Sequence, residues 1–330
     1  MIQINLFTAY GNHYKDRFWF TKMCLDQFSK IKKNNLEKVN LHVYINALEE
    51  QKWVEELTND KYENIDIVIQ CMNDDEYIHK VELAHKSEFE YSCKWDDDTF
   101  INSHVWDYII ENVNILDQSD VSVLIPIIQN GIPTVDFFID DFLNEEQKNY
   151  FRKIFLTEGV KNNLGIWGCN YNKVQQYIEN QTKWDYEDYW KFMDGFNPIE
   201  NINLPAYMQL AKGFHPARFS HRYNMEIAKT FIQNQDLIFN KRQYSLMHYN
   251  TVYFCNNLTF IKTEFWKESQ STFKDGWDEG QMNVYSKIKN MHPVYVRNSC
   301  GIHMAYGCTE GQKDIEQEYI NNLCKPYFNK

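Results

Sequence analysis

The sequence contains no run of about 18 apolar residues, so no segment of it reads as a membrane span. Its first residues, Met1-Ile2-Gln3-Ile4-Asn5-Leu6-Phe7, lack the basic start and long apolar core of a signal peptide. The eight cysteines are scattered rather than closely spaced. That argues against a disulfide scaffold and is the pattern expected of reduced thiols in a cytoplasmic protein. No internal repeat or low-complexity tract interrupts the chain. Cations are outnumbered: the formal net charge is -12, the wrong sign for a general nucleic-acid coat or a binder of anionic membranes. What is present is a chain of 330 residues, 43% hydrophobic and 16% aromatic, long enough for one large α/β domain or two smaller ones.

The first third alternates strand and helix signals. Strands are predicted over 2–8, 39–45 and 65–71, and helices over 14–32, 49–58 and 77–86. A further apolar segment, Phe89, Tyr91, Cys93 and Trp95, runs into a cluster of aspartates. Such alternation predicts a parallel sheet with its ligands at the carboxyl ends of the strands. Thr8, Ala9 and Tyr10 end the first strand, Asn46 ends the second, and the aspartates end a later one, so all are expected to line one crevice. Beyond this point, 121–128 reads as a β run with Pro126 inside it, hence an edge or distorted strand. Strands are also predicted over 250–261 and 294–296, with helices and loops between 148 and 197.

The aspartate cluster carries the chemistry. It reads Lys94-Trp95-Asp96-Asp97-Asp98-Thr99-Phe100-Ile101-Asn102. Adjacent carboxylates repel unless a cation neutralises them, and residues two apart on an extended backbone share a face. Asp96 and Asp98 are therefore predicted to face one hard divalent ion while Asp97 points away. Two carboxylates leave most of an octahedral Mg²⁺ or Mn²⁺ shell open to phosphate oxygens and water, which suits a diphosphate substrate. The same residues also suit an acidic surface turn. The loop has neither the alternating ligands, the central glycine nor the terminal glutamate of an EF-hand.

A basic residue, one spacer, three aspartates, an apolar pair and an asparagine resemble the metal-binding motif of GT-A fold nucleotide-sugar glycosyltransferases. The lysine is similar to that of the galactosyltransferase and fringe-like branch. Trp277-Asp278-Glu279-Gly280-Gln281 resembles the acidic pair at a helix start where these enzymes place a catalytic carboxylate. His303, in Gly301-Ile302-His303-Met304, resembles the late histidine that completes their metal site. The resemblance covers roughly residues 1–125 and pieces of 250–305. It implies a GT-A type α/β fold, one continuous domain in which a Rossmann-like nucleotide-sugar-binding half (1–125) is fused to a mixed acceptor-binding half (126–330) with a large insertion.

The implied activity is metal-dependent transfer of a sugar from a nucleotide-sugar donor to an acceptor hydroxyl. Asp96, Asp98 and His303 would hold Mn²⁺ or Mg²⁺; Thr8, Tyr10, Asn46, Lys94 and Asp97 would contact the nucleotide sugar; Asp278 or Glu279 would be the catalytic base. The chain has Asp-Glu where the branch usually shows Glu-Asp, which leaves the base open, and nothing decides between inversion and retention. Cys300, His303 and Cys308 give a rival three-ligand zinc set without a close cysteine pair. For the acceptor, a glycan or protein side chain is the default. Lys212, Arg218, Arg222, Lys229, Lys241 and Arg242, interleaved with aromatics, raise an alternative: a phage-type DNA glycosyltransferase acting on a hydroxymethylated base. A third reading is a catalytically silent sugar- or nucleotide-binding module.

Overall fold

The computed structural model describes residues 1–7, 18–35, 37–45, 65–69, 87–128, 134–150, 242–251, 254, 255, 257–272 and 278–303, together with 230, 233, 234 and 240. The first half contains β1 (Ile2–Phe7), α1 (Phe18–Asn34), β2 (Val39–Ile45), β3 (Ile65–Ile69), β4 (Tyr91–Asp96), β5 (Thr99–Ile101) and α2 (Ser103–Asn112). After a short 3₁₀ turn come β6 (Val121–Ile128), α3 (Thr134–Phe142), β7 (Ser245–His248), β8 (Leu258–Lys262), α4 (Thr263–Thr272), α5 (Asp278–Ile288) and β9 (His292–His303). The predicted helices at 49–58 and 77–86 lie outside the described residues.

The nine strands among the described residues join one sheet in the order β3-β2-β1-β4-β8-β6-β9-β5, with β7 alongside β9. The expected parallel arrangement holds for β3, β2, β1 and β4. Beyond β4 the sheet is mixed, because β8 runs antiparallel to both β4 and β6. In β1, Ile2, Ile4 and Leu6 alternate with buried Gln3 and Asn5. The polar pair stays hydrogen-bonded across the sheet, as burial demands. Asn40 donates to Gln3 at 3.1 Å, Tyr44 donates to Asn5 at 3.2 Å, and Asn5 donates to the Cys93 carbonyl at 3.2 Å. The stripe Phe20, Cys24, Phe28 and Ile31 of α1 has helical spacing and is wholly buried. Gln27 ties α1 to β5 and α2 by donating to the Ile101 carbonyl and accepting from the Trp106 indole.

Pro126 did not make β6 an edge strand; β6 is buried between β8 and β9. The missing proline N–H is accommodated as distortion, the other outcome the sequence allowed. Register slips between Pro126 and Ile128, and the freed Ile127 N–H donates to the Ser299 hydroxyl at 2.9 Å. Within the predicted 250–261 strand, Leu258 opens β8, and β9 is far longer than the predicted 294–296.

β9 changes partner along its length. It pairs parallel with β6 as far as Gly301, while on its other side antiparallel β7 gives way to antiparallel β5 at Gly301–His303, with a bend at Asn298, whose φ is 61°. Asp141 clamps that turn, accepting from the Arg297 guanidinium and the Asn298 N–H. Gly301 allows the close approach to β5. A Cβ there would lie 2.5 Å from Ile101 Cγ2, 2.7 Å from Ile128 Cδ1 and 3.0 Å from the Phe100 carbonyl oxygen. Gly301→Ala is expected to destabilise by about 1–3 kcal/mol through overpacking. Thermal unfolding measures it, and an unchanged Tm would mean β5 and β9 separate easily.

Candidate functional site

The acidic turn stands at the carboxyl end of β4, between β1 and β8. Each neighbour grips its backbone: the Asp97 N–H donates to the Phe7 carbonyl at 3.1 Å, and the Asp96 N–H to the Asn257 carbonyl at 2.8 Å. Trp95, packed edge-on against Trp106, closes the turn by donating its indole N–H to the Thr99 carbonyl at 2.6 Å. Asn102 then caps α2, its side chain accepting from the Val105 N–H at 2.9 Å.

Asp97 points inward. It is 5% exposed, its carboxylate accepts from Thr21 at 3.3 Å, and its carbonyl accepts from the Cys24 thiol at 3.3 Å. Asp96 and Asp98 keep the more open side, with 27% and 17% of their side chains exposed. Burial, followed by the fields of Asp97, Asp98 and Asp96, pushes the Cys24 thiol well up. Negative potential therefore dominates the turn.

Lys94 lies two residues before Asp96 on the same strand and is itself 3% exposed. Its ammonium donates to both oxygens of Asp96, at 2.8 and 2.9 Å. His303 arrives from the far end of the chain because β9 pairs with β5 in a register that sets His303 opposite Thr99. Its Nε2 is 3.5 Å from Asp98 Oδ1. Asn257, just before β8, joins the two halves: its side-chain nitrogen is 3.2 Å from His303 Nε2 and 3.5 Å from Asp96 Oδ2. Asn257 was not singled out from the sequence. Its one signal, a polar residue directly before an apolar β run, acquires meaning only once β8 is known to lie antiparallel on β4.

Asp278 and Glu279 open α5, where the half-buried Glu279 sits in the first turn. Asn283 fastens this turn to the segment leading to Asn257, donating to the Glu279 carbonyl at 2.8 Å and the Phe254 carbonyl at 3.0 Å, and accepting from the Phe254 N–H at 2.8 Å. Thr8, Tyr10, Asn46 and Cys308 lie outside the described residues, as do Lys212, Arg218, Arg222, Lys229 and Lys241. Arg242 stacks on Phe142, 4.6 Å from the ring centroid. Cys300 is buried, its thiol 3.7 Å from the Gly301 carbonyl.

Among the described residues no group of three His, Cys, Asp and Glu side chains meets the geometry of a metal site as it stands. Asp98 and His303 fit a divalent ion as a pair. Donors about 2.1 Å from an ion and cis to one another lie about 3 Å apart, which a small side-chain adjustment reaches from 3.5 Å. Asp96 joins them only when its carboxylate turns away from Lys94.

Fold and site together define a mixed α/β protein with an acidic turn at the carboxyl end of a central parallel strand. No protein-family model matches the chain, and no curated protein matches it. Solved structures similar to it include S. aureus TarS 1–349, at 15% identity and TM-score 0.28, over 38% of this chain and 35% of that one. Another is the 4-diphosphocytidyl-2C-methyl-D-erythritol synthase of Anaerococcus prevotii DSM 20548, at 10% identity and TM-score 0.41, over 100% and 96%. At these scores neither likeness bears on the functional reading. No helix among the described residues is long and apolar enough to cross a membrane.

Proposed function

We propose that this chain is a metal-dependent glycosyltransferase of GT-A type that moves a sugar from a nucleotide-sugar donor to an acceptor hydroxyl. The observation that supports it best is the meeting of Asp98 and His303, from distant parts of the chain, at 3.5 Å on the acidic turn. A purely decorative acidic turn requires no imidazole beside it. Mn²⁺ or Mg²⁺ held by Asp98 and His303, with Asp96 when released, would neutralise charge on the departing nucleoside diphosphate. Lys94 holds Asp96 in the meantime, so it acts as a counter-cation within the turn and reaches a phosphate only by leaving that carboxylate.

Asp278 or Glu279 would accept the proton of the acceptor hydroxyl in an inverting reaction. A glycan or protein side chain is the acceptor class proposed. The test is a thermal-shift panel of nucleotide sugars with and without Mn²⁺, followed by measurement of nucleoside diphosphate release. A donor-specific rise in Tm that needs Mn²⁺, with release of the diphosphate, is the expected result. Binding without release would make the chain a nucleotide-sugar-binding module, and no shift with any donor would remove the proposal.

A further inference from the structure

A second cluster lies at the other end of β9. His248 closes β7 and His292 opens β9, and the antiparallel register pairs His248 with Val294. His292 is two residues before Val294, so the two histidines are diagonal neighbours on one face of the strand pair. Their rings meet through His248 Nδ1 and His292 Nε2, 2.7 Å apart, with centroids 5.0 Å apart and planes inclined at 52°. His248 is exposed and His292 partly so. The exposed Asp120 precedes β6, on the other side of β9 from β7, and its carbonyl accepts from the His292 N–H at 2.8 Å.

We propose that His248 and His292 form a cross-strand bis-imidazole site for a borderline divalent cation, represented by Zn²⁺, with water completing its shell. Imidazole nitrogens about 2.0–2.1 Å from zinc lie roughly 3.3 Å apart in a tetrahedron, so the rings need to open by about half an ångström. Both strands are paired in the sheet, and chelation therefore orders little that is not already ordered. The carboxylate of Asp120 favours a cation here. Lys287, in α5, opposes one. Burial pushes its amine down to about 7, and it donates to Asn250, so the opposition fades above neutral pH. The site is independent of the acidic turn.

The test is chelator competition for Zn²⁺ on the full chain carrying Asp98→Asn, so that the acidic turn contributes no carboxylate–imidazole pair. Comparison is made with the same protein carrying His248→Ala or His292→Ala. One bound equivalent is expected, weakened more than about tenfold by either histidine change. Equal affinity in either histidine variant, or no zinc bound at all, overturns the proposal. If an alanine variant fails to fold by circular dichroism, His248→Gln and His292→Gln give the same comparison. Zinc-induced shifts of both imidazole resonances in the Asp98→Asn protein are a second readout, and unshifted resonances would reject the site.

Discussion

Asp98→Asn is expected to abolish Mn²⁺-dependent nucleotide-sugar binding and turnover while leaving the melting temperature nearly unchanged. The change removes the carboxylate that faces His303; that side chain is 17% exposed, an amide oxygen can still accept from the Thr99 hydroxyl, and the backbone bonds to Phe7 and Asn257 that hold the turn are untouched. Isothermal titration with the donor identified by thermal shift measures the loss, and wild-type affinity in this variant would place the metal elsewhere. Asp96→Ala should behave differently. It strips both carboxylate bonds from the Lys94 ammonium, which is 3% exposed, and breaking a buried ion pair from one side costs several kcal/mol. With Asp96 itself partly open, a loss of about 3 kcal/mol is expected in denaturant unfolding. A protein that loses donor binding in both variants but stability in only one would separate the two roles.

Removing the base should reduce the chemical step by about 10²–10⁴-fold with donor affinity almost unaltered. The relevant variants are Asp278→Asn and Glu279→Gln at the start of α5. Single-turnover rates at saturating donor isolate that step from binding and release. Asn283 holds the helix start through backbone carbonyls, so neither substitution disturbs those bonds. Full rates in both variants would exclude the pair and favour a retaining route without a protein base.

Much of the site could be read along the chain. Asp96 and Asp98 keep the open side and Asp97 the inner one, as expected of an extended strand. Yet Asp97 and Asp98 form a turn between β4 and β5, so it is the turn, held by the Asp97 N–H on the Phe7 carbonyl, that sends Asp97 inward. Its burial against Thr21 and Cys24 differs from the donor contact expected of it, because α1 packs on that face. Lys94 shows the same limit. A lysine near phosphate-binding residues is a reasonable phosphate ligand on paper, yet two residues of strand place it over Asp96. Asn257 carried no usable signal, since its meaning depends on which strand lies beside β4.

The local sequence by itself determined the hydrophobic stripe of α1, the four parallel strands and the acidic turn at a strand end. These depend on side-chain periodicity and on repulsion between neighbouring charges, both short-range effects. Only the tertiary structure decided that β6 is interior despite Pro126, because Ser299 of a distant strand takes up the Ile127 N–H. It also decided that His303 meets Asp98. That meeting requires β9 to bend at Asn298, pass Gly301 close against β5, and settle in one register of a sheet whose order no local pattern encodes.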